Sequence, residues 1–163
     1  EMVTGIDIVK EQLRIASGLK LRYKQEDVAL RGHAIECRLN AVDSFKNFMP
    51  STGTLKVINT PGGFNTRFDS AIYSGLEVSP YYDSMLGKII VHAPTRLEAI
   101  KKMRRALEET IIEGVRMNQG ILYAVTLDKD FIRGEYNVGF LEEKLDEILD
   151  YSRSFAEHLE SLI

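Results

Sequence analysis

Arg31–Asn40, RGHAIECRLN, has an alternating pattern that is typical of a half-buried β-strand. Side chains two residues apart on a strand point to the same side of the sheet. The strand therefore has a polar face and a largely apolar face, made of Glu36, Arg38 and Asn40 and of His33, Ile35, Cys37 and Leu39, respectively. We predict that the apolar face packs on the core and that the polar face is free for chemistry.

Strands and helices occupy separate parts of the remaining chain. Short alternating or apolar runs broken by glycine and proline predict strands at 29–40, 53–59, 65–70 and 86–92. Apolar residues at helical spacing predict a first helix over Gly5–Ser17, with Thr4 and Asp7 as a capping box. These patterns indicate an α+β domain with a mainly antiparallel sheet and flanking helices.

Three helices are predicted after the last strand. Thr95 and Glu98 form a capping box for a helix that ends near Gly114. Asn118 is in position to cap a short helix, and 128–139 has the pattern of a connecting loop. Apolar residues at alternating spacings of four and three predict a long amphipathic helix over 141–162, which packs on the core or forms a short coiled coil.

Composition narrows the function classes. The chain has 163 residues, of which 44% are hydrophobic, enough for one main domain. Its 21 basic and 24 acidic residues give a net charge of −3 without a basic cluster, which argues against nucleic-acid binding. It lacks an apolar run of the roughly 20 residues that a membrane span needs. Cys37, the single cysteine, fits a reducing compartment such as the cytoplasm.

Arg38 is the residue on the polar face with the clearest chemical potential. A guanidinium on a rigid strand can hold an oxyanion through two parallel hydrogen bonds, and Glu36 can orient it. The same pair also fits a purely structural ion pair, and the residue pattern does not separate these alternatives. The three histidines, at 33, 92 and 158, lack metal-ligand spacing, so we expect no metal site in this chain.

Three segments carry a resemblance to a known family: RGHAIECRLN, PGGFNTRFDSAIYSG (Pro61–Gly75) and PYYDSMLGKII (Pro80–Ile90). Together they closely resemble the C-terminal region of biotin carboxylase, and the similarity extends from EMVTGIDIVKEQLRIASG to EEKLDEI. The chain departs from the family at Val42, where a glutamate is usual, and at Met117, where a threonine is common. The resemblance implies that the domain is the C-terminal part of an ATP-grasp enzyme.

The resemblance also implies roles for individual residues. In this family ATP activates bicarbonate as carboxyphosphate, which yields carbon dioxide and phosphate, and the phosphate takes the N1 proton of biotin. The arginine that matches Arg38 contacts the bicarbonate and biotin site and would stabilise the negative charge on the ureido oxygen. Glu36 and Asp83 are expected to support it, Asp83 as an anchor for Arg38. Phe64 and Arg67 match positions at the homodimer interface of bacterial biotin carboxylase subunits.

The organisation and partners follow from the same resemblance. Residues 1–28 would end the ATP-grasp portion, 29–140 would form the biotin carboxylase C-terminal domain, and 141–163 would form a C-terminal amphipathic helix. The complete enzyme would use ATP, Mg²⁺ and biotin on a carrier, so this chain alone should not turn over. Its expected partners are the upstream ATP-grasp part, the biotin carboxyl carrier protein, a carboxyltransferase and a second copy.

We expect the system to be a cytoplasmic acetyl-CoA carboxylase of fatty acid biosynthesis. Two alternatives remain open at the level of sequence. One is a non-catalytic dimerisation or assembly module, in which Glu36 and Arg38 form only an ion pair. The other is a different ATP-grasp ligase that shares this domain but does not use biotin.

Overall fold

The computed structural model describes residues 1–160, with side chains described through residue 155. The helices are α1 (Ile8–Ala16), α2 (Arg96–Glu109), α3 (Gln119–Leu127), α4 (Lys129–Arg133), α5 (Phe140–Glu143) and α6 (Leu145–Glu160). The strands are β1 (His33–Asn40), β2 (Val42–Asp43), β3 (Met49–Pro50), β4 (Gly53–Thr54), β5 (Ile58–Asn59), β6 (Thr66–Ser70), β7 (Glu77–Val78), β8 (Met85–Ala93) and β9 (Ile111–Ile112). A single 3₁₀ turn, Gln25–Asp27, lies between α1 and β1 in the described chain.

The main sheet has three strands in the order β1-β8-β6, and both pairings are antiparallel. The six remaining described strands form three antiparallel pairs, β2 with β3, β4 with β7, and β5 with β9. Helix α1 precedes the strands, α2 lies between β8 and the short β9, and α3 to α6 follow β9. The predicted fold class, an α+β domain with mainly antiparallel pairing, is therefore confirmed.

The core lies between the main sheet and α2. Its buried members come from β1, β8 and α2 and are Cys37, Leu39, Ile89, Val91, Met103, Ala106 and Leu107. Complete burial of one such large apolar side chain contributes about 1.5 to 3 kcal/mol. The strand alternation predicted for β1 is confirmed at its C-terminal half, where Cys37 and Leu39 are buried and Arg38 is exposed; His33, at the start of β1, is exposed.

The first helix begins later than its sequence signal suggested. Asp7 is the N-cap and accepts a hydrogen bond from the Lys10 N–H at 2.8 Å. Thr4 instead accepts from the Ile6 N–H at 3.2 Å, in a turn that precedes the helix. Gly5 lies between them with φ of +71°, a left-handed conformation that interrupts helical geometry. The predicted cap at Thr4 was therefore wrong, although the helix itself is confirmed.

Two predicted elements around α2 have different bounds. Thr95 caps α2 as predicted and accepts from the Glu98 N–H, but the helix ends at Glu109 rather than near Gly114. The chain then enters β9, which pairs with β5. The predicted strand at 53–59 is consequently divided, because β4 pairs with β7 while β5 pairs with β9. Pairing with distant partners, rather than local pattern, sets these bounds.

The C-terminal third contains more helix than predicted. The expected loop at 128–139 includes α4, whose N-cap is Asp128 and whose C-cap is Gly134, with φ of +80°. Asp128 caps α4 by accepting from the Asp130 and Phe131 N–H groups at 2.7 and 3.0 Å. The predicted amphipathic helix is divided at Lys144 into α5 and α6. Phe155 of α6 stacks on Tyr123 of α3, and the predicted position Leu162 lies outside the described residues.

Across residues 1–160, none of the helices is both long and apolar enough to span a lipid bilayer.

Candidate functional site

The polar face of the main sheet lies opposite the face that packs on α2. Its side chains are arranged in two neighbouring cross-strand rows because β1, β8 and β6 pair in register. One row consists of Arg38, Lys88 and Asp69, and the next consists of Glu36, Ile90 and Arg67. Five of these six side chains are charged, so the face combines both signs of charge around one buried isoleucine.

Arg38 is held by Glu36 and is otherwise open to solvent. Its Nε donates to Glu36 Oε1 at 3.1 Å, and its side chain is 65% exposed. Lys88 Nζ lies 3.8 Å from the same carboxylate oxygen, across the strand pair. An exposed ion pair contributes little to stability, about 0 to 1 kcal/mol. Its main physical effect here is to orient the guanidinium while leaving its terminal N–H groups free to donate.

Asn118, at the start of α3, fixes the backbone around Arg38. Asn118 Oδ1 accepts from the Asn40 N–H at 2.9 Å, and its Nδ2 donates to the Arg38 carbonyl oxygen at 3.1 Å. Asn118 occupies the N-cap position of α3 as predicted, but its side chain makes no capping hydrogen bond there. The sequence pattern therefore predicted a helix start at Asn118 but not its long-range contact with β1.

Asn40 lies at the end of the polar face and is half-buried. It pairs with Met85 after a register shift in the ladder between β1 and β8. Its Oδ1 is buried and lacks a hydrogen-bond partner among the described residues. A buried carbonyl oxygen without a donor costs free energy, so Asn40 Oδ1 is an unfavourable contact at this end of the polar face.

Asp83 stabilises the turn that leads into β8. Its Oδ1 accepts from the Met85 N–H at 2.8 Å. Among the described residues, the ion pair of Arg38 is with Glu36, so the structure does not bring Asp83 and Arg38 together as an ion pair. Asp83 and Lys88 both line a cleft of about 540 Å³ together with Asp69 and Tyr82. The neighbouring Tyr81 and Tyr82 are 89% and 85% exposed. The turn thus carries two exposed aromatic rings, of which that of Tyr82 lines the cleft.

The turn that contains Phe64 projects from the start of β6. Gly63 and Asn65 adopt positive φ angles of 106° and 57°, and Phe64 between them is 87% exposed. Two basic residues of α2 hold this turn: Lys102 donates to the Phe64 carbonyl at 3.1 Å and Arg105 to the Gly62 carbonyl at 2.9 Å. Lys102 and Arg105 therefore fix the backbone of this projecting turn.

Arg67 follows on β6 and is tied to acidic neighbours. Its Nε donates to Asp69 Oδ2 at 3.0 Å, and its Nη1 lies 3.6 Å from Glu1 Oε2. Its side chain remains 45% exposed. Phe64 and Arg67 thus form an exposed aromatic and cationic pair on a fixed backbone, a composition enriched at protein interfaces.

Within the described residues, no group of three or more histidine, cysteine, aspartate or glutamate side chains is arranged to hold a metal ion. Cys37 lies on the core face of β1, where burial, and secondarily the charge of Glu36, raise its pKa to about 12. It is therefore a neutral thiol at physiological pH and is not suited to act as a nucleophile.

Comparison with known proteins places this geometry in a family. The family model for the biotin carboxylase C-terminal domain matches residues 36–143, which is most of the chain. The chain belongs to this family. The match includes Glu36, Arg38, Phe64, Arg67 and Asp83. The similarity to biotin carboxylase that the sequence motifs indicated is therefore confirmed.

Known relatives of this biotin carboxylase C-terminal domain are longer proteins named as biotin carboxylases or carboxylase subunits. The chain is 52% identical to biotin carboxylase of Pseudomonas aeruginosa over 145 residues and 48% identical to that of Haemophilus influenzae over the same length. It is 47% identical to the 2-oxoglutarate carboxylase small subunit of Hydrogenobacter thermophilus. These alignments cover 89 to 93% of this chain but only 32% of each relative. The chain thus spans about a third of their length.

Solved structures give the same result. The biotin carboxylase domain dimer of Hydrogenobacter thermophilus 2-oxoglutarate carboxylase, in complex with MgADP, ADP and bicarbonate, matches 91% of this chain with a TM-score of 0.87 and 47% identity. The biotin carboxylase subunit of a pyruvate carboxylase matches with the same TM-score and 49% identity. In each case this chain covers 33% of the solved chain. The fold is the C-terminal domain fold of ATP-grasp carboxylases.

Proposed function

We propose that this chain forms one wall of the active site of an ATP-dependent biotin carboxylase. The complete protein would use MgATP and bicarbonate to carboxylate biotin on a carrier protein. The observation that carries the proposal is the state of Arg38: an exposed guanidinium, oriented by Glu36, on a strand whose backbone is fixed on both edges. Such a preorganised donor is suited to stabilise a developing oxyanion.

Arg38 is proposed as the group that touches the substrate. When N1 of biotin loses its proton, negative charge grows on the ureido oxygen, and the terminal N–H groups of Arg38 donate to it. Bicarbonate, an anion that is present before this step, is bound by the same charge. Glu36 restricts the rotamers of Arg38, and Lys88 limits the negative charge that Glu36 presents to the substrate.

Asp83 is proposed as a supporting residue that acts through the turn before β8. By accepting from the Met85 N–H, it fixes the strand that pairs with β1. The exposed Tyr81 and Tyr82 next to it offer apolar surface to the bicyclic ring of biotin. ATP and Mg²⁺ supply activation of bicarbonate when bound, and we assign their ligands to the ATP-grasp portion of the complete protein.

We further propose the domain boundaries given by the sequence, with 1–28 closing the ATP-grasp portion, 29–140 forming the carboxylase C-terminal domain and 141–163 the terminal helix. Four large apolar residues of α1 are 52 to 68% exposed, which supports contact with another part of the protein; they are Ile8, Val9, Leu13 and Ile15. Phe64 and Arg67 are proposed to form the homodimer interface. The carrier protein and a carboxyltransferase would complete a cytoplasmic system.

The acceptor of the carboxyl group is a separate question. Relatives of similar identity include a 2-oxoglutarate carboxylase subunit and a pyruvate carboxylase subunit as well as biotin carboxylases. The choice of acceptor belongs to the carboxyltransferase rather than to this domain. We propose acetyl-CoA carboxylase, and hence fatty acid biosynthesis, as the system.

The test is bicarbonate-dependent phosphate release by the complete protein, with and without free biotin. We expect Arg38→Ala to lower the biotin-dependent rate about 10²- to 10³-fold, because one oxyanion donor is lost. Arg153→Ala is a matched control, since Arg153 is also 65% exposed and has one carboxylate neighbour, Asp150 at 3.7 Å. This control should keep the wild-type rate.

Three results would contradict the proposal in distinguishable ways. A wild-type rate that ignores biotin would mean that another ATP-grasp ligase carries this domain. Equal rates for Arg38→Ala and Arg153→Ala would make Arg38 structural. A change in association without a change in turnover would indicate an assembly module.

A further inference from the structure

Asn118 binds the segment around Arg38 through three of its four polar groups. Its N–H donates to the Asn40 carbonyl at 3.2 Å, its Oδ1 accepts from the Asn40 N–H at 2.9 Å, and its Nδ2 donates to the Arg38 carbonyl at 3.1 Å. The side-chain bonds join residues 78 and 80 positions apart in the chain. Two residues of β1 thus depend on one residue at the start of α3.

The position of these bonds on the sheet explains their effect. β1 is an edge strand of the main sheet, with β8 on one side. In a strand, the polar backbone groups of residues two apart point to the same edge, so those of Arg38 and Asn40 reach Asn118 together. Asn118 therefore occupies the outer edge of β1 as a residue of a further strand would, and it satisfies groups that an edge strand leaves unpaired.

The contact also lies at an irregularity in the ladder between β1 and β8. The register shifts between Leu39 and Asn40, one pair beyond that of Arg38 and Lys88. Beyond an irregularity of this kind, strand pairing no longer fixes the backbone direction by itself. Asn118 compensates for this loss on the opposite edge.

We propose that Asn118 is a positioning residue for Arg38, and this inference rests on the function proposed above. Glu36 orients the guanidinium, while Asn118 fixes the main chain from which it extends. A displacement of a catalytic group by about 1 Å can lower a rate about 100-fold, so a main-chain anchor at this point controls transition-state stabilisation. The role is distinct from substrate contact, because the amide of Asn118 is already engaged with β1.

Asn118→Asp separates this role from helix capping. Aspartate is as favourable as asparagine at an N-cap, and its charge suits the N-terminus of α3. The carboxylate still accepts from the Asn40 N–H, but it cannot donate to the Arg38 carbonyl, and it places a second oxygen against that carbonyl. The substitution therefore preserves the helix start and disturbs the backbone at Arg38.

Asn59→Asp is the matched control. Asn59 Nδ2 also donates to a distant carbonyl oxygen, that of Glu109 at 2.6 Å and 50 residues away, but its contact joins β5 to the end of α2. The chemical change and the type of bond lost are the same in both variants. A difference in activity between the two variants therefore reports on the backbone of Arg38.

The experiment compares both variants with wild type in the complete protein. We expect Asn118→Asp to lower kcat for biotin carboxylation about 10- to 100-fold, as for a misplaced catalytic group, while KM for ATP stays at its wild-type value. Asn59→Asp should leave both quantities unchanged. The same loss of kcat in both variants, or an unchanged kcat in Asn118→Asp, would overturn the proposal.

A second readout does not depend on the enzymatic assignment. The Nε–H resonance of Arg38, identified by its loss in Arg38→Ala, should shift in Asn118→Asp and not in Asn59→Asp. If the wild-type enzyme ignores biotin, the proposed function fails, and this resonance alone decides the role of Asn118. A shift then upholds the positioning role, and an unshifted resonance overturns it.

Discussion

At the scale of single residues, the two faces of β1 give neighbouring side chains opposite properties. Cys37 points to the core and is 7% exposed, whereas Arg38, the next residue, is 65% exposed on the polar face. Burial removes water from around the thiol and raises the pKa of Cys37 to about 12, with a smaller contribution from the charge of Glu36. Cys37 is therefore an unreactive thiol, although it is adjacent to Arg38, the proposed active-site residue.

We expect Cys37 to resist a thiol reagent such as DTNB at pH 8 in the folded protein and to react fully after denaturation. The pKa in the folded state lies above the value of about 8.5 for an unfolded chain. Stability linked to this thiol is therefore complete below that pH and falls as the pH rises toward 12, since only the unfolded state releases the proton. Cys37→Ala should remove this alkaline dependence, and rapid labelling of the folded protein would contradict the burial.

At the scale of elements, Lys144 joins α4 to the break between α5 and α6. Its Nζ lies 2.6 Å from Asp128 Oδ2 and 2.5 Å from Asp130 Oδ2. Burial opposes ionisation of Asp128, but the hydrogen bond from Lys144 and those from the Phe131 and Asp130 N–H groups outweigh it and lower the pKa of Asp128. The same carboxylate therefore caps one helix and attaches it to the next two.

We expect Asp128→Asn to lower the free energy of unfolding at pH 7 by about 1 to 2 kcal/mol, because asparagine still caps α4 but loses the charge-assisted bond to Lys144. Since the folded-state pKa of Asp128 is depressed, its contribution is present above the unfolded value of about 3.9 and disappears as the pH falls through the folded value. Urea denaturation at pH 7 and at acidic pH measures both effects.

Asp150→Asn is the control for this element. Asp150 is 78% exposed and its nearest cation, on Arg153, is 3.7 Å away, so the change should cost about 0 to 1 kcal/mol at any pH. Equal losses for the two substitutions would show that Lys144 does not hold the helices together.

At the scale of the whole molecule, large apolar side chains project from several separate places. Phe64, Tyr81, Tyr82 and Val138 are more than 80% exposed, and α1 also exposes apolar residues. Exposed aromatic residues on rigid turns are typical of surfaces that contact another protein or domain. This distribution agrees with a chain that spans about a third of its relatives' length.

We expect Phe64→Ser and Arg67→Glu each to shift the complete protein from dimer toward monomer in sedimentation velocity. A two-fold interface contains every substituted residue twice, so a single change removes two contacts. Tyr151→Ser is a control, because Tyr151 is an exposed aromatic residue of α6, away from this turn. An unchanged dimer in both interface variants would assign the exposed Phe64 turn to another partner.

Local signals predicted the parts of the structure that depend on sequence neighbours. The alternation of β1, the capping of α2 by Thr95 and the position of α3 after Asn118 all follow from residues within one or two turns of each other. The same signals misplaced the cap of α1 and overlooked α4, because apolar periodicity reports neither the positive φ of Gly5 nor the side-chain cap that Asp128 provides. The motifs that matched the family were nevertheless contiguous, so the family could be predicted without the fold.

The order of residues was enough to predict which side of β1 is polar, that Arg38 lies on it next to Glu36, and which family the chain joins, because a period of two and a short motif are properties of adjacent residues. The packed fold was needed to show that Lys88 faces Glu36, that Lys144 attaches α4 to α5 and α6, and that Asn118 fixes the main chain of Arg38. These contacts join residues that are distant in the chain, and the contact between Asn118 and Arg38 spans 80 positions. Such a contact exists only after the packing of α2 on the sheet and the strand register have brought its two ends together.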